Sequence, residues 1–284
     1  MVKSYGEWRG MVLLTQDQFE KSKKFIFRFG RLIDRKRFLF HFENGSKDEV
    51  QQVLSCYQNS DGGFGHGLEM DVICPVSTAI GAEVAMAYLE EIGMTKGKII
   101  DSLENWVISS QQSDGTMYHP ADEVKAYPHG WWWEDDDIRT LSLAGFLGKW
   151  GRGSRTFFDG AKKVFIGESF PEKLGVYNYP YYLYLRFAPG AEEFSEYLEK
   201  IQELFPNMLQ EFEWHCPLFF SIYHWTSDDI DVETWKTEAQ KAVKTLKEDG
   251  GVYVPQYSKL LWWRPVWTLN MLVTMKKHDF LHYH

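Results

Sequence analysis

Three tryptophans stand directly against four carboxylates in the stretch YPHGWWWEDDDIRT, residues 127–140. Carboxylates held this close together cannot all ionise, so one of them keeps a proton that it can donate. The electron-rich faces of indole rings stabilise a positive charge beside them. The stretch therefore offers acid or base chemistry beside a binding surface. The candidate catalytic acids are Glu134, Asp136 and Asp137, and the candidate binding residues are Trp131, Trp132 and Trp133.

The same residues have structural alternatives. Asp136 or Asp137 is suited to cap a helix that begins near Ile138, because a carboxylate accepts hydrogen bonds from the N–H groups of a first turn and favours its positive end. Three adjacent tryptophans cannot all face one way, so at least one is expected to pack as a lid on the core. The sequence leaves these alternatives open.

A second group of polar residues lies in and around the glycine-rich segment GFGHGLEMD, residues 63–71. Glu69 and Asp71 either accept backbone N–H bonds in their loop or form a second acid site that faces the first acid cluster. His66 is a candidate for binding and His129 for proton transfer, because imidazole titrates near neutral pH. Further candidates for a ring-lined surface and for binding an anionic group are Tyr179, Trp214, Trp263 and Arg264.

Three Asp-Gly turns predict helix ends of one kind. The segments VLSCYQNSDGGFGHG, WVISSQQSDGTMYHP and VKTLKEDGGVYVPQ each show an apolar helical end, the turn, and then an aromatic or aliphatic residue. Glycine adopts the positive φ angles that end a helix, and the residue after it can fold back on the last turn.

Proline marks most of the matching helix beginnings, since its fixed φ and missing N–H suit a first turn. Beginnings near residues 75, 138, 180, 217 and 265 are about 48 residues apart, a spacing typical of helical hairpins. More amphipathic segments lie between them, at 47–57, 97–111, 155–166, 192–211 and 232–247. Residues 18–42 are expected to supply a sixth inner helix. The pattern predicts one all-α domain over residues 1–284, an alpha-alpha toroid of five or six helical hairpins with inner and outer helix rings.

In such a toroid the inner helices all run in one direction, so the loops that lead into them meet at one end. This end would receive the acids, the histidines and the tryptophans. Long loops gathered on one face are where function is usually built.

Composition limits the partners. The 31 Lys+Arg against 40 Asp+Glu give a net charge of -9, which disfavours nucleic acid. The 3 cysteines show no CxxC spacing, which predicts a reduced, cytoplasmic protein without a disulfide framework. No transmembrane segment is predicted, because no apolar run approaches about 20 residues. The basic stretch 21–37 is either a solvated helix face or a weak contact with a diphosphate or an anionic membrane surface.

The string QNSDGGFG, with the partial echoes QQSDGT and EDGG, resembles the QW-type turns of the terpenoid cyclase and protein prenyltransferase superfamily. The strings DGGFGHGLEMD, CPVSTAIGAE and YPHGWWW are similar to a bacterial group of prenyltransferase-like proteins, over most of the chain. The resemblance implies an alpha-alpha toroid in which Gln58 and Gln111 tie helix ends together and the ring of Phe64 stacks on its turn. Met117 and Val252 depart from that pattern.

The resemblance also implies two kinds of chemistry. Class II cyclases protonate an alkene with the middle acid of a DxDD motif, which places Asp136 at the donor position, although Glu134 replaces the first Asp. The prenyltransferases bind zinc through Asp, Cys and His, and Asp71 and Cys74 stand at suggestive positions. No third ligand has the motif spacing, so no metal site is assigned. The cofactor stays unknown, with a divalent metal left open.

Three functions follow from these observations. The first is an isoprenoid-processing enzyme, in which Asp136 protonates a small apolar ligand held among tryptophans. The second is a carbohydrate-active (α/α) enzyme, a glycoside hydrolase or lyase, in which a carboxylate pair such as Glu69 and Asp136 flanks a glycosidic bond. The third is a toroid that binds a ligand or protein without chemistry.

Overall fold

The structure, a computed structural model, describes residues 13–135, 138–168, 170, 179–211 and 231–281. Within these ranges the chain forms twelve α-helices and no β-strand, so the predicted all-α class is confirmed. The helices are α1 (Gln16–Phe29), α2 (Leu32–Phe42), α3 (Lys47–Leu54), α4 (Ala79–Glu91), α5 (Lys98–Ser109), α6 (Ala121–Lys125), α7 (Arg139–Lys149), α8 (Arg155–Gly167), α9 (Tyr179–Phe187), α10 (Ser195–Glu211), α11 (Val232–Lys244) and α12 (Arg264–Lys277).

The chain divides into two compact units, each described by itself. The first unit is Met1–Gly45 together with Phe205–His284, and the second unit is Ser46–Leu204. One domain over residues 1–284 stays a prediction.

Helix beginnings follow the prolines and polar caps of the sequence. Those predicted near residues 138, 180 and 265 correspond to the first residues of α7, α9 and α12. Helix α4 begins four residues after Pro75, because the extended Thr78 accepts a hydrogen bond from the N–H of Gly81 and caps the first turn. The beginning predicted near residue 217 lies outside the described residues.

Residues 18–42, expected to supply a sixth inner helix, lie in two helices, because the chain is broken between α1 and α2. Gly30 and Arg31 are both extended, with ψ angles of 151° and 165°. The buried carboxylate of Asp34 accepts hydrogen bonds from the backbone N–H of Arg31 at 3.0 Å and from its guanidinium at 3.1 Å. These bonds satisfy the start of a new helix, so the chain turns at this point instead of continuing.

The three Asp-Gly turns close in the same way. The residue before each turn pairs with the residue after it, in the bridges Gln58 with Phe64, Gln111 with Met117 and Leu246 with Val252. One glycine in each turn has a positive φ, as expected at a helix end: +94° at Gly62, +97° at Gly115 and +86° at Gly250.

Each turn also packs against the backbone of another helix. The side-chain Nε2 of Gln58 donates both to Gly62 within its own turn and to the carbonyl of Ile99 in α5. Gln111 makes the corresponding bonds to Gly115 and to Phe157 in α8. Both glutamines therefore join a turn to the first half of the following amphipathic helix.

The third turn lacks this glutamine but makes an equivalent contact. Ser22 in α1 donates to the carbonyl of Gly250 at 2.8 Å, and a Cβ on Gly250 would lie 2.3 Å from the backbone of Lys21. The turn that follows α11 therefore packs on α1, the first helix in the described ranges.

In the unit Ser46–Leu204, α7 packs on α4 and, most closely, on α9. Two glycines of α7 allow this approach. A Cβ on Gly145 would lie 2.5 Å from the carbonyl of Leu183, and one on Gly148 would lie 2.2 Å from the carbonyl oxygen of Phe187. These helices are buried along most of their length, as predicted for inner helices.

In the other unit, α12 packs on α1 and α2. Arg37 in the middle of α2 donates to Asn270 in the middle of α12 at 2.7 Å, and Lys276 near the end of α12 donates to the carbonyl of His41 near the end of α2. Because these contacts advance together along both helices, α2 and α12 lie parallel.

Replacing Gly115 by Ala is expected to destabilise the protein more than replacing Gly151. Both glycines have a positive φ, so both variants bear a penalty of roughly 1–2 kcal/mol. Only the Cβ at Gly115 would also meet a backbone atom, the carbonyl oxygen of Gly160 at 2.2 Å, whereas Gly151 has nothing within 4 Å. Overpacking adds roughly 1–3 kcal/mol. Urea unfolding measures the difference, and equal losses would contradict the close packing of this turn on α8.

Candidate functional site

Two long loops lie side by side in front of α4 and α7. The first covers residues 65–78 and the second residues 118–135; together we call them the paired loops. The N–H of Ile73 donates to the carbonyl of Pro128 at 3.0 Å, and the N–H of Gly130 donates to the carbonyl of Asp71 at 2.7 Å. Val72 and His129 pair between these bonds in antiparallel fashion. The convergence predicted for these two loops is therefore confirmed.

An apolar cluster packs between the paired loops and the first turn of α4. Its buried members are Val72, Cys74, Ile80, Val124 and Trp133, with Trp132 and Val76 partly buried against them. Both loops and the first turn of α4 contribute, so the cluster ties the loops to the helix.

The three tryptophans have three different environments. Trp133 is 2% exposed and its ring stacks on His119, with ring centroids 3.7 Å apart. Trp132 is half-buried on the same cluster, and Trp131 is 84% exposed. At least one tryptophan packs into the core, as expected, and only Trp131 is mostly exposed.

Exposed apolar side chains are concentrated on the paired loops. In the described part of the unit Ser46–Leu204, four of the five large exposed apolar side chains lie there, and the fifth, Ile166, lies on α8. The four are Ile73, Tyr118, Tyr127 and Trp131. Such a concentration is typical of a binding surface, whereas single exposed apolar residues are ordinary.

The predicted second acid site lies in the first of the paired loops. Glu69 is 7% exposed, and its carboxylate accepts a hydrogen bond from the backbone N–H of Asp71 at 3.2 Å. This contact is the backbone bond foreseen as one alternative. The carbonyl of Asp71 binds Gly130 of the second loop, so both acids lie where the two loops meet.

The two predicted histidines make different hydrogen bonds. Nε2 of His66 lies 2.9 Å from the side-chain oxygen of Asn59, and Nδ1 of His129 lies 2.8 Å from the carbonyl oxygen of Tyr127. His66 also has a positive φ of 55°, which is uncommon for a residue other than glycine.

A charged network is buried behind the loops, at the beginnings of the three packed helices. Glu83 of α4 accepts two hydrogen bonds from Arg139 of α7, both at 2.9 Å, and others from Ser142 of α7 and Tyr179 of α9. All four residues are less than a tenth exposed. The structure thus places the predicted binding residue Tyr179 in an ion-pair network that joins α4, α7 and α9.

Glu83, Arg139 and Asn59 were not predicted from the sequence. One signal was present for Glu83, the only charged residue among the first eleven of the segment AIGAEVAMAYLEE. A charge inside an apolar helix requires a buried partner, but the sequence does not identify that partner.

Parts of the first acid cluster lie outside the description. This applies to Asp136 and Asp137, and to the side chain of Glu134. The helix cap predicted for Asp136 or Asp137 stays a prediction, and α7 begins at Arg139, close to the expected start near Ile138. The binding candidate Trp214 also lies outside the described residues.

Arg264, predicted to bind an anionic group, hydrogen-bonds to the third Asp-Gly turn, which lies in the same unit. Its guanidinium donates to Asp249 at 2.8 and 2.9 Å and to the carbonyl of Val252 at 2.9 Å. Burial raises the pKa of Asp249, but the bonds from Arg264 and from the N–H of Gly251 outweigh it and hold that pKa below its ordinary value. The neighbouring Trp263 stacks on Trp267.

Several residues of the basic stretch are paired within their own unit. Lys21 binds Asp17, Lys23 binds Glu43, and the guanidinium of Arg31 binds Asp34. These pairs agree with the solvated helix face, and a membrane-surface contact stays a prediction. No helix in the described ranges has the length and apolarity to span a membrane.

No group of three or more His, Cys, Asp and Glu in the described ranges is arranged to hold a metal ion. The thiol of Cys74, one of the two suggestive zinc positions, is buried and points to the carbonyl of Glu123 at 3.7 Å. Comparison with protein-family models, curated proteins and solved structures finds no match to this chain. The resemblance to the toroid superfamily therefore rests on the turn and loop residues alone.

Replacing Trp133 by Ala is expected to cost roughly 3–5 kcal/mol of unfolding free energy, because it empties a buried site beneath both loops. The matched change of Trp131, which is mostly exposed, is expected to stay within roughly 0.5 kcal/mol of the parent. Urea unfolding followed by circular dichroism measures both. Equal effects of the two variants would show that Trp133 does not support the loops.

Proposed function

We propose that the protein is an alpha-alpha toroid that binds a carbohydrate at the paired loops and acts on it with loop carboxylates. The proposal has two parts, the closed helical ring and the ligand class, and each part is supported by different contacts.

The ring is supported by helix order. Helices α4, α7 and α9 pack in sequence within one unit, and α2 and α12 lie parallel in the other. The last Asp-Gly turn packs on α1, which is the contact that a ring needs between its final and first hairpins. The superfamily that the turns resemble has this architecture.

The ligand class is supported chiefly by the exposed rings of the paired loops. Trp131 is 84% exposed, and Tyr118 and Tyr127 are 49% and 43% exposed. A flat ring stacks on the apolar face of a sugar, while imidazoles and carboxylates bind its hydroxyl groups. Asp71, His66 and other such groups lie on the same loops, so apolar and hydrogen-bonding surfaces are combined as a sugar requires.

The buried ion pair between Glu83 and Arg139 also favours a carbohydrate ligand. A cyclase-type substrate needs an apolar, ring-lined hollow between the inner helices. In this protein Glu83, Arg139 and Tyr179 fill the space between the beginnings of three such helices with charged and polar groups. That favours a ligand bound on the loops over an isoprenoid chain held among the helices.

Two carboxyl groups supply the catalytic roles in this proposal. A glycosidic bond is broken by one carboxyl group that protonates the leaving oxygen and a second that acts as base or nucleophile. Glu69 in the first loop and Asp136 after the second are the proposed pair. No cofactor is needed for this reaction, and a divalent metal stays open.

An isoprenoid-processing enzyme is the second candidate. It is favoured by the apolar cluster that includes Trp133 and packs against Trp132, and by the position of Asp136 in the DxDD-like string. Its substrate would bind on the apolar side of the loops, with Asp136 as proton donor.

Binding of neutral oligosaccharides to the full-length protein, measured by calorimetry, tests the ligand class. Trp131→Ala is expected to weaken binding about tenfold, or ~1.4 kcal/mol, through loss of ring stacking. Ile166→Ala is the matched control, since Ile166 is exposed on α8 and is not part of the paired loops. Turnover of a bound oligosaccharide should be lost in Glu69→Gln and in Asp136→Asn.

Prenyl diphosphates are assayed in parallel. If they bind and oligosaccharides do not, the carbohydrate proposal is wrong and the second candidate is favoured. Oligosaccharide binding that Trp131→Ala and Ile166→Ala reduce equally would place the ligand elsewhere.

A further inference from the structure

The side chain of Asn59 has one fixed orientation, set by two partners. Its Nδ2 lies 2.9 Å from the carbonyl oxygen of Pro75 and 3.0 Å from the hydroxyl of Ser77. A carbonyl oxygen only accepts hydrogen bonds, so the NH2 group of the amide must face Pro75. In a flipped amide, the side-chain oxygen would face the carbonyl oxygen of Pro75, and the hydrogen bond to Pro75 would be lost.

The hydroxyl of Ser77 is fixed in turn by a carboxylate. It donates to Asp61 at 2.8 Å, so its lone pairs are left to accept from Asn59. The same carboxylate oxygen accepts the backbone N–H of Gly63 at 2.9 Å. Asp61, Ser77 and Asn59 thus form a chain in which every donor and acceptor is determined.

This chain determines which nitrogen of His66 carries the proton. The side-chain oxygen of Asn59 faces Nε2 of His66 at 2.9 Å and can only accept. Nε2 must therefore be protonated, and in the neutral ring the lone pair lies on Nδ1. In the part of the chain that the structure describes, Nδ1 of His66 has no hydrogen-bond partner.

The backbone at His66 supports a role for the ring outside folding. His66 has a φ of 55° and lies between Gly65 and Gly67, in a conformation that glycine adopts without steric cost. Its N–H donates to the carbonyl of Cys74 at 2.7 Å, which fixes it to the far side of the first loop. A glycine could make that bond equally well, whereas only a side chain presents an exposed imidazole.

We propose that Nδ1 of His66 is a further base of the paired loops, beside the carboxylate pair, and takes a proton from a hydroxyl group of the ligand. In that step the O–H bond breaks, the electron pair stays on oxygen and an N–H bond forms at Nδ1. The resulting imidazolium keeps its Nε2–H bond to Asn59, whose orientation Asp61 maintains through Ser77. The assumption that the ligand carries a hydroxyl group rests on the proposed function. The assignment of the His66 tautomer does not depend on it.

His129 is a matched comparison within the same loops. Its Nδ1 faces the carbonyl oxygen of Tyr127 at 2.8 Å, so Nδ1 carries the proton in the neutral ring. The structure therefore assigns opposite tautomers to His66 and His129.

Nitrogen-15 NMR of the full-length protein, labelled at histidine, tests this assignment above the titration range of both rings. We expect a protonated Nε2 and an unprotonated Nδ1 at His66, and the reverse at His129. His66→Gln and His129→Gln assign the signals by their loss. A protonated Nδ1 at His66, or equal populations of its two tautomers, overturns the proposal.

Asn59→Ala is expected to abolish the tautomer preference of His66 and to leave that of His129 unchanged. The parent spectrum alone decides the assignment, so the test does not depend on the folding of this variant. Diethyl pyrocarbonate, which attacks an unprotonated imidazole nitrogen, is expected to label His66 faster than His119, whose ring is stacked on Trp133. Slower labelling of His66 than of His119 contradicts an accessible Nδ1.

If an oligosaccharide is turned over, the acidic limb of its pH profile should follow the titration of His66 seen by NMR. Turnover that is unchanged in His66→Gln removes His66 from catalysis. If no oligosaccharide binds, the proposed function is wrong. The NMR spectrum tests the tautomer of His66 independently of that result.

Discussion

Two backbone hydrogen bonds join the loops that precede α4 and α7, and the candidate binding surface depends on them. A long loop has many N–H and carbonyl groups that secondary structure does not satisfy, and burying them alone is costly. The bonds from Ile73 to Pro128 and from Gly130 to Asp71 let each loop satisfy the other. They also bring residues some sixty positions apart in the sequence to one surface. Trp133 lies in the apolar cluster of that surface, Trp131 is exposed on it, and Glu69 and Asp71 lie at the junction.

Features set by local chemistry could be predicted from the sequence. Helix ends at the Asp-Gly turns depend on the positive φ of Gly62, Gly115 and Gly250, and helix starts depend on caps and prolines a few residues away. The meeting of the two loops was expected from a toroid, in which the inner helices would all run in one direction. The fixed spacing of the helix starts carried that information, so the loop meeting was predictable although none of its hydrogen bonds was.

Features set by pairing across the chain could not be predicted. Asp34 breaks the helix expected over residues 18–42 because its carboxylate binds Arg31, and nothing in the apolar pattern distinguishes that break from a continuous helix. Glu83 needs a partner 56 residues away, and the sequence offers many arginines. The assignment of His66 required the positions of Asn59, Ser77 and Pro75, which fix a proton only once all three distances are known.

Native-state hydrogen exchange of the amides of Ile73 and Gly130 tests the loop pairing most directly. Exchange slows where an amide is hydrogen-bonded in a structure that opens rarely. The account predicts that these two amides exchange together, and much more slowly than those of Ser113 and Asp114 in an exposed turn. Exchange of both amides as fast as in that turn would show that the loops are not joined, and the surface proposed as a binding site would not exist.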